Sequence, residues 1–416
     1  MKPLSRRSVL SVAAVGGAVA VTSSASAAVF GNPDEPPQGA INAPGRSTSV
    51  PGPNNPALSD QFPGAFSPPP TDVGNLPMFW ATFNNAPRRI QNGGWAREVT
   101  QSDFQISEEI AGVNMRLTKG GIREMHWHQF AEWAYVTAGN CRITTIDQNG
   151  AANVEDVPKG GLWYFPAGLP HSLQGVGDDG CEFIICFDDG KASEFSTLLL
   201  TEWLAHTPPH ILAMNFGVPA QTFDKIPMED LYIFQGNMPA AIEIEQQQAQ
   251  MNAGAPKLRS SFQLSDLPPV RKTRGGEVRI ADSSNFEISK TIAAALVTIH
   301  PGGMREMHWH PNADEWLYVI AGKAEATVFN TGPNAVTQNF NPGDIGYINR
   351  GLGHFLRNTG DADLVYLEVF RSPHFADVSL SDWITHTPHA MVSQHLNVDA
   401  ATIAQFPAGK PLVLPV

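Results

Sequence analysis

The sequence has few cysteines, no surplus of basic residues and, beyond its first residues, no long hydrophobic run. Its three cysteines are too few for a disulfide framework, and Cys181 and Cys186 would face opposite sides of a strand, so we interpret them as packing residues. Lys and Arg number 27 against 40 Asp and Glu, a formal net charge of −13, so no nucleic-acid surface is expected. No later stretch has the length and hydrophobicity of a membrane-spanning helix, so no membrane domain is expected.

The N-terminus has the organisation of an export signal. Paired arginines, Arg6 and Arg7, precede a mildly apolar stretch from Val9 to Val21, and Ala25-Ser26-Ala27 offers small residues for cleavage. This pattern predicts a signal peptide over residues 1–27, of the twin-arginine type that exports folded cargo. An ordinary secretory signal with incidental arginines is the alternative. We therefore expect an exported protein, periplasmic or extracellular.

The rest of the chain contains an internal duplication. Residues 28–76 are dense in Pro, Gly, Asn and Ser, which is typical of an arm or linker. The string REMHWH then occurs at Arg123–His128 and again at Arg305–His310, and the flanking strings repeat at an offset close to 182 residues. The duplication predicts three further segments: an N-terminal domain over 77–235, a linker over 236–260 and a C-terminal domain over 261–416.

Each copy has the pattern of an all-β domain. Short alternating or apolar runs such as VNMRLT, AYVTAG and EFIICF are separated by Gly, Pro, Asn and Asp, which favours an antiparallel sandwich or barrel. Each copy closes with a short helical appendix. Thr207-Pro208 and Thr387-Pro388 are expected to supply the N-cap and the first helical residue, and Gly217 to end the first of these helices.

Histidines and a glutamate recur with metal-ligand spacing in both copies. Residues i and i+2 of a strand share a face, so each H-x-H pair projects two imidazoles together. A glutamate follows after a turn and a third histidine follows further downstream; the predicted ligands are His126, His128, Glu132 and His171, and His308, His310, Glu315 and His354. Nitrogen and carboxylate donors without a thiolate suit a divalent ion such as Mn or Fe, with positions left open for substrate or dioxygen. Hydrogen-bonded core histidines and a structural zinc site are the alternatives.

These residues resemble the cupin signature. Its pattern, G-x5-H-x-H-x3/4-E-x6-G followed by G-x5-P-x-G-x2-H, is met in full by the first copy. The second copy departs only at Asn349, which stands where the pattern has proline, so a turn is altered and no ligand is lost. The resemblance implies two tandem cupin barrels of the double-stranded β-helix or jelly-roll type.

Within the cupins, the chain resembles the bicupin oxalate decarboxylases from about Met78 to Pro407. The strings that carry this resemblance include GGWAREVT, LWYFPAGLPHS, FDDG, SKTIAAALVT and DWITHTP. It implies conversion of oxalate to formate and carbon dioxide with two Mn(2+) ions per chain. We also expect dioxygen as co-catalyst and a homo-oligomeric assembly.

Arginines precede both ligand sets by three residues. A displacement of three places Arg123 and Arg305 on the strand face opposite the first ligand, so a twist or bulge must redirect them inward, as the resemblance implies. A guanidinium matches a carboxylate of oxalate with two parallel hydrogen bonds. The alternative is a surface arginine paired with Glu124 or Glu306.

A glutamate in a polar loop is the predicted proton donor. Lys191–Thr197, called here the first lid, contains Glu194, and the resemblance implies that this acid protonates the carbon left after loss of carbon dioxide. Phe195 replaces the asparagine usual in the family. A solvated loop glutamate is the alternative.

The second copy lacks an equivalent glutamate in its lid, which is three residues shorter. Glu368 is a possible second-site acid or a structural partner. We predict that both sites bind metal and that only the first decarboxylates efficiently. The rival functions are an oxalate oxidase, a cupin dioxygenase for a larger aromatic substrate and a non-enzymatic metal-binding or storage bicupin.

Overall fold

The structure, a computed structural model, describes residues 55–66, 68–332, 334–407 and 409–415. The predicted signal peptide and the start of the predicted arm lie outside these ranges. Residues 53–416 form one compact unit. Among the described residues, no helix is long and apolar enough to cross a membrane.

The first copy consists of short antiparallel strands with one strand of 15 residues, β6. In chain order they are β1 (Trp80–Thr82), β2 (Arg89–Gln91), β3 (Gly94–Val99), β4 (Ala111–Leu117), β5 (Gly121–Trp127), β6 (Glu132–Ile146), β7 (Ala152–Pro158), β8 (Gly161–Phe165), β9 (His171–Gly175), β10 (Cys181–Phe187), β11 (Leu198–Leu199) and β12 (Ile233–Gln235).

The second copy repeats this series. Its strands are β13 (Ser261–Gln263), β14 (Arg271–Thr273), β15 (Gly276–Ala281), β16 (Ala293–Ile299), β17 (Met304–Trp309), β18 (Glu315–Ala321), β19 (Ala324–Asn330), β20 (Asn334–Phe340), β21 (Asp344–Ile348), β22 (Gly353–Asn358), β23 (Leu364–Phe370), β24 (Val378–Ser379) and β25 (Val413–Leu414).

The helices are short and lie outside the barrels' sheets. They are α1 (Pro56–Gln61) and α2 (Pro63–Phe66) in the arm, α3 (Leu200–Ala205) and α4 (Pro209–Phe216) after the first barrel, α5 (Ile242–Ala249) in the linker, and α6 (Leu380–His386), α7 (His389–Leu396) and α8 (Ala400–Ile403) near the end. Mostly β-structure with few short helices is the class that the sequence predicts, and it is confirmed.

The expected starts of both appendix helices are wrong by one residue, since Pro388 and not Thr387 is the N-cap of α7, and α4 shows the same displacement. Pro208, and not Thr207, is the N-cap of α4, with φ −55° and ψ 133°. Pro209 follows it, and a residue before proline is kept extended by the proline ring, so Pro208 cannot enter the helix. Gly217 ends α4 in the left-handed region at φ 67°, as predicted.

Each barrel closes through long antiparallel ladders. In the first barrel, β6 pairs with β10 and β8 along its first half and with β7 and β9 along its second half. Gly139, at φ 73°, lies at the bend between these halves, where an added Cβ would come within 2.0 Å of the Gly180 carbonyl oxygen. The second barrel is built on two sheets, in the orders β1-β21-β18-β23-β16-β15-β14 and β20-β19-β22-β17-β24.

The two copies exchange their leading strands. β1 pairs with β21 of the second barrel, Trp80 opposite Gly346. β13 pairs with β8 of the first barrel, Ser261 opposite Trp163. Strands therefore cross the boundaries expected from the duplication, because the first few residues of each predicted domain extend a sheet of the other.

The barrels also share a core. Each barrel has its own interior cluster, and a third cluster joins their outer faces, where Trp133 and Tyr135 of β6 pack with Trp316 and Tyr318 of β18. A Cβ added at Gly112 would lie 2.5 Å from the Trp316 ring, so glycine permits this close approach. The two metal sites are thus held in one rigidly packed body.

Candidate metal centres and active site

The first cluster of predicted ligands comes together inside the first barrel. His126 and His128 lie on β5, Glu132 begins β6 and His171 begins β9. In the register of β5 and β9, His126 is directly opposite His171. The four side chains are buried, and one potential ligand atom from each lies within 4.8 Å of all the others.

Backbone carbonyls orient the imidazole rings of this cluster. The Nδ1 atoms of His126, His128 and His171 lie 2.6, 2.6 and 2.9 Å from the carbonyl oxygens of residues 124, 130 and 169. A carbonyl can only accept, so each Nδ1 carries the proton and each Nε2 presents a lone pair. Burial lowers the pKa of His126 and His171, which keeps both rings neutral and suited to bind a metal.

Glu132 supplies the carboxylate of the first cluster. Trp163 Nε1 donates to its Oε1 at 2.8 Å, while its Oε2 lies 3.2 Å from His128 Nε2 and 3.5 Å from His171 Nε2. A carboxylate facing imidazole lone pairs at this distance is the arrangement that a cation stabilises.

The second cluster repeats this geometry with ligands from β17, β18 and β22. His308, His310, Glu315 and His354 are buried, and their potential ligand atoms also lie within 4.8 Å of one another. The Nδ1 atoms of the three histidines donate to the carbonyl oxygens of residues 306, 376 and 352. Glu315 Oε2 is 2.9 Å from His354 Nε2 and 3.2 Å from His310 Nε2.

Both clusters fit a divalent ion. In the second cluster the Nε2 atoms of all three histidines and both oxygens of Glu315 are buried without a hydrogen-bond partner. Buried polar atoms rarely remain unpaired in a native structure, so their convergence points to a cation-binding site. Three imidazoles and one carboxylate, without a thiol, match the donors that Mn(2+) accepts.

Arg123 is turned inward by an irregularity in its strand. The β5–β9 register shifts between Arg123 and His126, and the Arg123 side chain is fully buried. Its Nε donates to Glu194 Oε1 at 2.6 Å and its Nη2 to Thr197 Oγ1 at 2.7 Å. The expectation that a bulge redirects this arginine fits the structure, whereas a surface arginine does not.

Glu194 is buried beside that arginine. It opens a 3-10 turn, Glu194–Ser196, and its side chain is 1% exposed. Burial raises the pKa of Glu194; Arg123 opposes this shift and the charge of Glu132 adds to it. Its Oε2 is buried without a hydrogen-bond partner. The structure thus places Glu194 as an enclosed acid and not as a solvated loop residue.

The second site surrounds its arginine with two acids. Arg305 is redirected by an equivalent register shift in β17. Its Nε donates to Glu368 Oε1 at 3.2 Å and its Nη2 to Asp377 Oδ2 at 2.6 Å. Lys410 forms a further ion pair with Asp377. Glu368 also accepts from Tyr366 Oη at 3.0 Å, so it is a fixed partner of Arg305 on a strand.

Sequence reasoning missed several neighbours of the two arginines. Thr197 and Asp377 hold equivalent positions, because the residues after them, Leu198 and Val378, pair with Trp127 and Trp309. Tyr232 places its ring centroid 4.4 Å from the Arg123 guanidinium carbon. Tyr232 and Lys410 belong to no recognisable motif. The pairing of β12 and β25 brings them close to Arg123 and Asp377, respectively, so no sequence signal could have found them.

Comparisons with known proteins agree with this geometry. The cupin family matches residues 81–223 and 262–404. The chain is 45% identical to oxalate decarboxylase OxdC of Bacillus subtilis over 346 residues, which cover 83% of this chain and 89% of that protein. It is 40% identical to a probable oxalate decarboxylase of Arthroderma benhamiae over 351 residues, 83% of this chain and 85% of that protein.

Solved structures of the Bacillus subtilis enzyme superimpose closely. One, determined at pH 4.6, has a TM-score of 0.84 at 44% identity, covering 87% of this chain and 94% of that chain. Another, from work on the Mn(II) centres of that enzyme, has a TM-score of 0.85 at 43% identity and covers 88% and 96%. Two cupin matches and this similarity over most of both chains show that the protein belongs to the bicupin oxalate decarboxylase family.

Proposed function

We propose that this protein is a manganese-dependent oxalate decarboxylase whose reaction takes place at the first site. The reaction consumes one proton: the carbon–carbon bond of oxalate breaks, carbon dioxide leaves, and the remaining carbon gains hydrogen to give formate. The single observation that carries the proposal is the buried pair of Arg123 and Glu194 beside the first ligand cluster.

The ligand residues would hold the ion, and the arginine would hold the substrate. A bound Mn(2+), coordinated by His126, His128, Glu132 and His171, supplies positive charge and open positions for one carboxylate of oxalate. Arg123, a buried guanidinium, would bind the other carboxylate. In a buried site, that charge pairing is stronger than it would be at the surface.

Glu194 would decide the outcome of the reaction. Burial raises its pKa, so its protonated form persists at pH values where an exposed glutamate is ionised. A positioned acid protonates the carbon left after carbon dioxide departs. Without it, that fragment loses further electrons to dioxygen, the proposed co-catalyst, and yields carbon dioxide and peroxide as an oxalate oxidase would.

The variant Glu194→Ala tests this assignment. Formate production should be abolished while both metals stay bound, because Glu194 is not among the predicted ligands. Metal analysis, formate and peroxide are measured on the same preparation, with Glu202→Ala, an exposed helix residue, as the matched control. Undiminished formate from the Glu194→Ala protein would show that another group donates the proton.

We also propose that the second site binds manganese but does not decarboxylate. Arg305 is already paired with Glu368 and Asp377, so little of its charge remains for oxalate. Glu368 lies on β23, and a strand inside a barrel cannot swing as a loop can. A His308→Ala protein that loses one ion per chain and retains formate production would agree with this assignment; loss of turnover with an intact first site would contradict it.

Export and assembly complete the proposal. The paired arginines and small-residue cleavage site in residues 1–27 support export through the twin-arginine route, which mass measurement of the mature N-terminus would test.

Large apolar side chains on the appendix helices are exposed, including Trp203, Met214 and Phe216 after the first barrel and Trp383 and Met391 after the second. Such faces support a homo-oligomer, whose size light scattering would measure.

A further inference from the structure

The first lid is held to the barrel by two contacts besides those that Arg123 makes. The centre of the lid is the 3-10 turn Glu194–Ser196, capped by Ser193, whose hydroxyl accepts a hydrogen bond from the Phe195 amide at 3.2 Å. Glu98 of β3 makes one contact, and Tyr232, just before β12, makes the other. Neither residue is a predicted metal ligand or substrate-binding residue.

Glu98 of β3 holds the entry to the turn. Its Oε1 accepts from the Ser193 hydroxyl at 2.8 Å, and its Oε2 accepts from the backbone N–H of Glu194 at 2.8 Å. One carboxylate therefore fixes both the cap and the first residue of the turn. Hydrogen bonds to a charged acceptor are stronger than neutral ones.

An aromatic cluster holds the next residue of the turn. The Phe195 ring packs edge-on to Tyr232, with centroids 5.9 Å apart. The Arg89 guanidinium carbon lies 4.0 Å from the Tyr232 ring centroid and 6.0 Å from that of Phe195. Asp230 fixes Arg89 through an ion pair of 2.7 Å. Tyr232 thus lies between Arg89 and Arg123 and joins the lid to the substrate-binding arginine.

The second copy lacks both attachments. At the offset that relates Arg123 to Arg305, Glu98 corresponds to Ile280 in the aligned strand β15. Tyr232 corresponds to Leu412, since their carbonyl oxygens accept from the equivalent amides of Glu124 and Glu306. Among the described residues, both attachments therefore occur in the half whose lid carries Glu194 and not in the other half.

We propose that Glu98 and Phe195 are positioning residues that together form a latch holding the first lid closed. This inference rests on the proposed function of Glu194. It states that the latch sets the ratio of formate to peroxide formed from oxalate. With the lid closed, Glu194 stays beside Arg123 and supplies its proton. With the lid open, Glu194 moves away from Arg123, and a larger share of the oxalate is oxidised to carbon dioxide and peroxide.

The test compares latch variants with matched controls in the metal-loaded full chain. Glu98→Gln replaces one acceptor oxygen with a donor, and Phe195→Ala removes the ring that packs on Tyr232. Loss of one charged hydrogen bond should shift the lid toward the open form about tenfold or more. Phe195→Tyr, which keeps the ring, and Glu108→Gln, which removes an exposed carboxylate, should behave as the parent protein.

Two readouts distinguish the latch from a general structural role. Hydrogen exchange of the lid amides should accelerate about tenfold in Glu98→Gln and Phe195→Ala, and peroxide per oxalate should rise as formate falls. The KM for oxalate should change less than kcat, because Arg123 is retained. Ser193→Ala breaks the hydrogen bond to Glu98 from the lid side, so combining it with Glu98→Gln should change both readouts little further. Ser193→Ala alone replaces Glu98→Gln in the test if Glu98→Gln folds poorly.

The outcomes separate this inference from the proposed function. Lid exchange and product ratio within twofold of the parent in Glu98→Gln, Ser193→Ala and Phe195→Ala would overturn the latch. Formate from Glu194→Ala would overturn the proton donor instead, and lid exchange would still report on the latch.

Discussion

At the scale of single residues, the two sites share their ligands and differ in what surrounds the arginine. Arg123 contacts one acid, on a loop, and a neutral threonine. Arg305 contacts two acids, one of them fixed on a strand. The sequence predicted the ligands because H-x-H spacing is local. It could not reveal Tyr232, whose ring reaches Arg123 only because β12 pairs with β5.

The raised pKa of Glu194 predicts how activity depends on pH. Burial and the charge of Glu132 raise the pKa of Glu194 by more than the charge of Arg123 lowers it. The protonated form, which donates the proton, is therefore present at low pH and is lost as pH rises through the raised pKa. The value of kcat should therefore fall with increasing pH above the usual range of a glutamate. Formate production measured at saturating oxalate against pH checks this. A kcat that rises over the same interval would be incompatible with an acid at this position.

At the scale of secondary-structure elements, the second lid segment, residues 371–382, is part of its metal site. The carbonyl oxygen of Ala376 accepts from the Nδ1 of His310 at 2.8 Å. In the first site the equivalent nitrogen, Nδ1 of His128, donates to the backbone carbonyl oxygen of Phe130, which lies outside the lid. The first lid can therefore move without disturbing a ligand, and the second cannot. Strand periodicity predicted the barrels, but a lid contact of this kind leaves no periodic signal.

Asp377 is expected to stabilise the second lid more than Lys410 does. Its carboxylate is buried between Arg305 and Lys410, and removing one member of a buried ion pair costs about 3–5 kcal/mol. Asp377→Asn should lower the free energy of unfolding by an amount near that range. Lys410→Ala, which leaves the Arg305 pair intact, should cost only about 1 kcal/mol.

Urea unfolding of metal-loaded protein measures both values. Formate production should survive in each variant, because neither residue contacts the first lid. Equal stability losses for the two variants would argue against a buried role for Asp377.

At the scale of the whole molecule, the barrels are joined by a shared aromatic core and by the exchange of β1 and β13. The duplication predicted two domains, and the repeat was easy to read. The strand exchange could not be predicted from the sequence, because three-residue strands hold too little pattern to specify a partner. Residues such as Trp80 and Phe262 suit many sheet edges equally well.

This joining predicts that the barrels unfold together. Calorimetry of the metal-loaded protein should show one cooperative transition, because opening either barrel exposes the common core of Trp133 and Trp316. In His308→Ala, which weakens only the second metal site, the transition should move to lower temperature and remain single. Two resolved transitions in either protein would show that the halves are independent.

The strand exchange also sets an order on biosynthesis. Trp80–Thr82 leaves the ribosome early, yet its pairing partner, Asp344–Gly346, is among the later parts of the chain to be made. The first barrel in turn lacks an edge strand until Ser261–Gln263 has emerged. A nascent chain that ends before Gly346 therefore leaves β1 without its full partner, and one that ends before Gln263 also leaves β8 without its own.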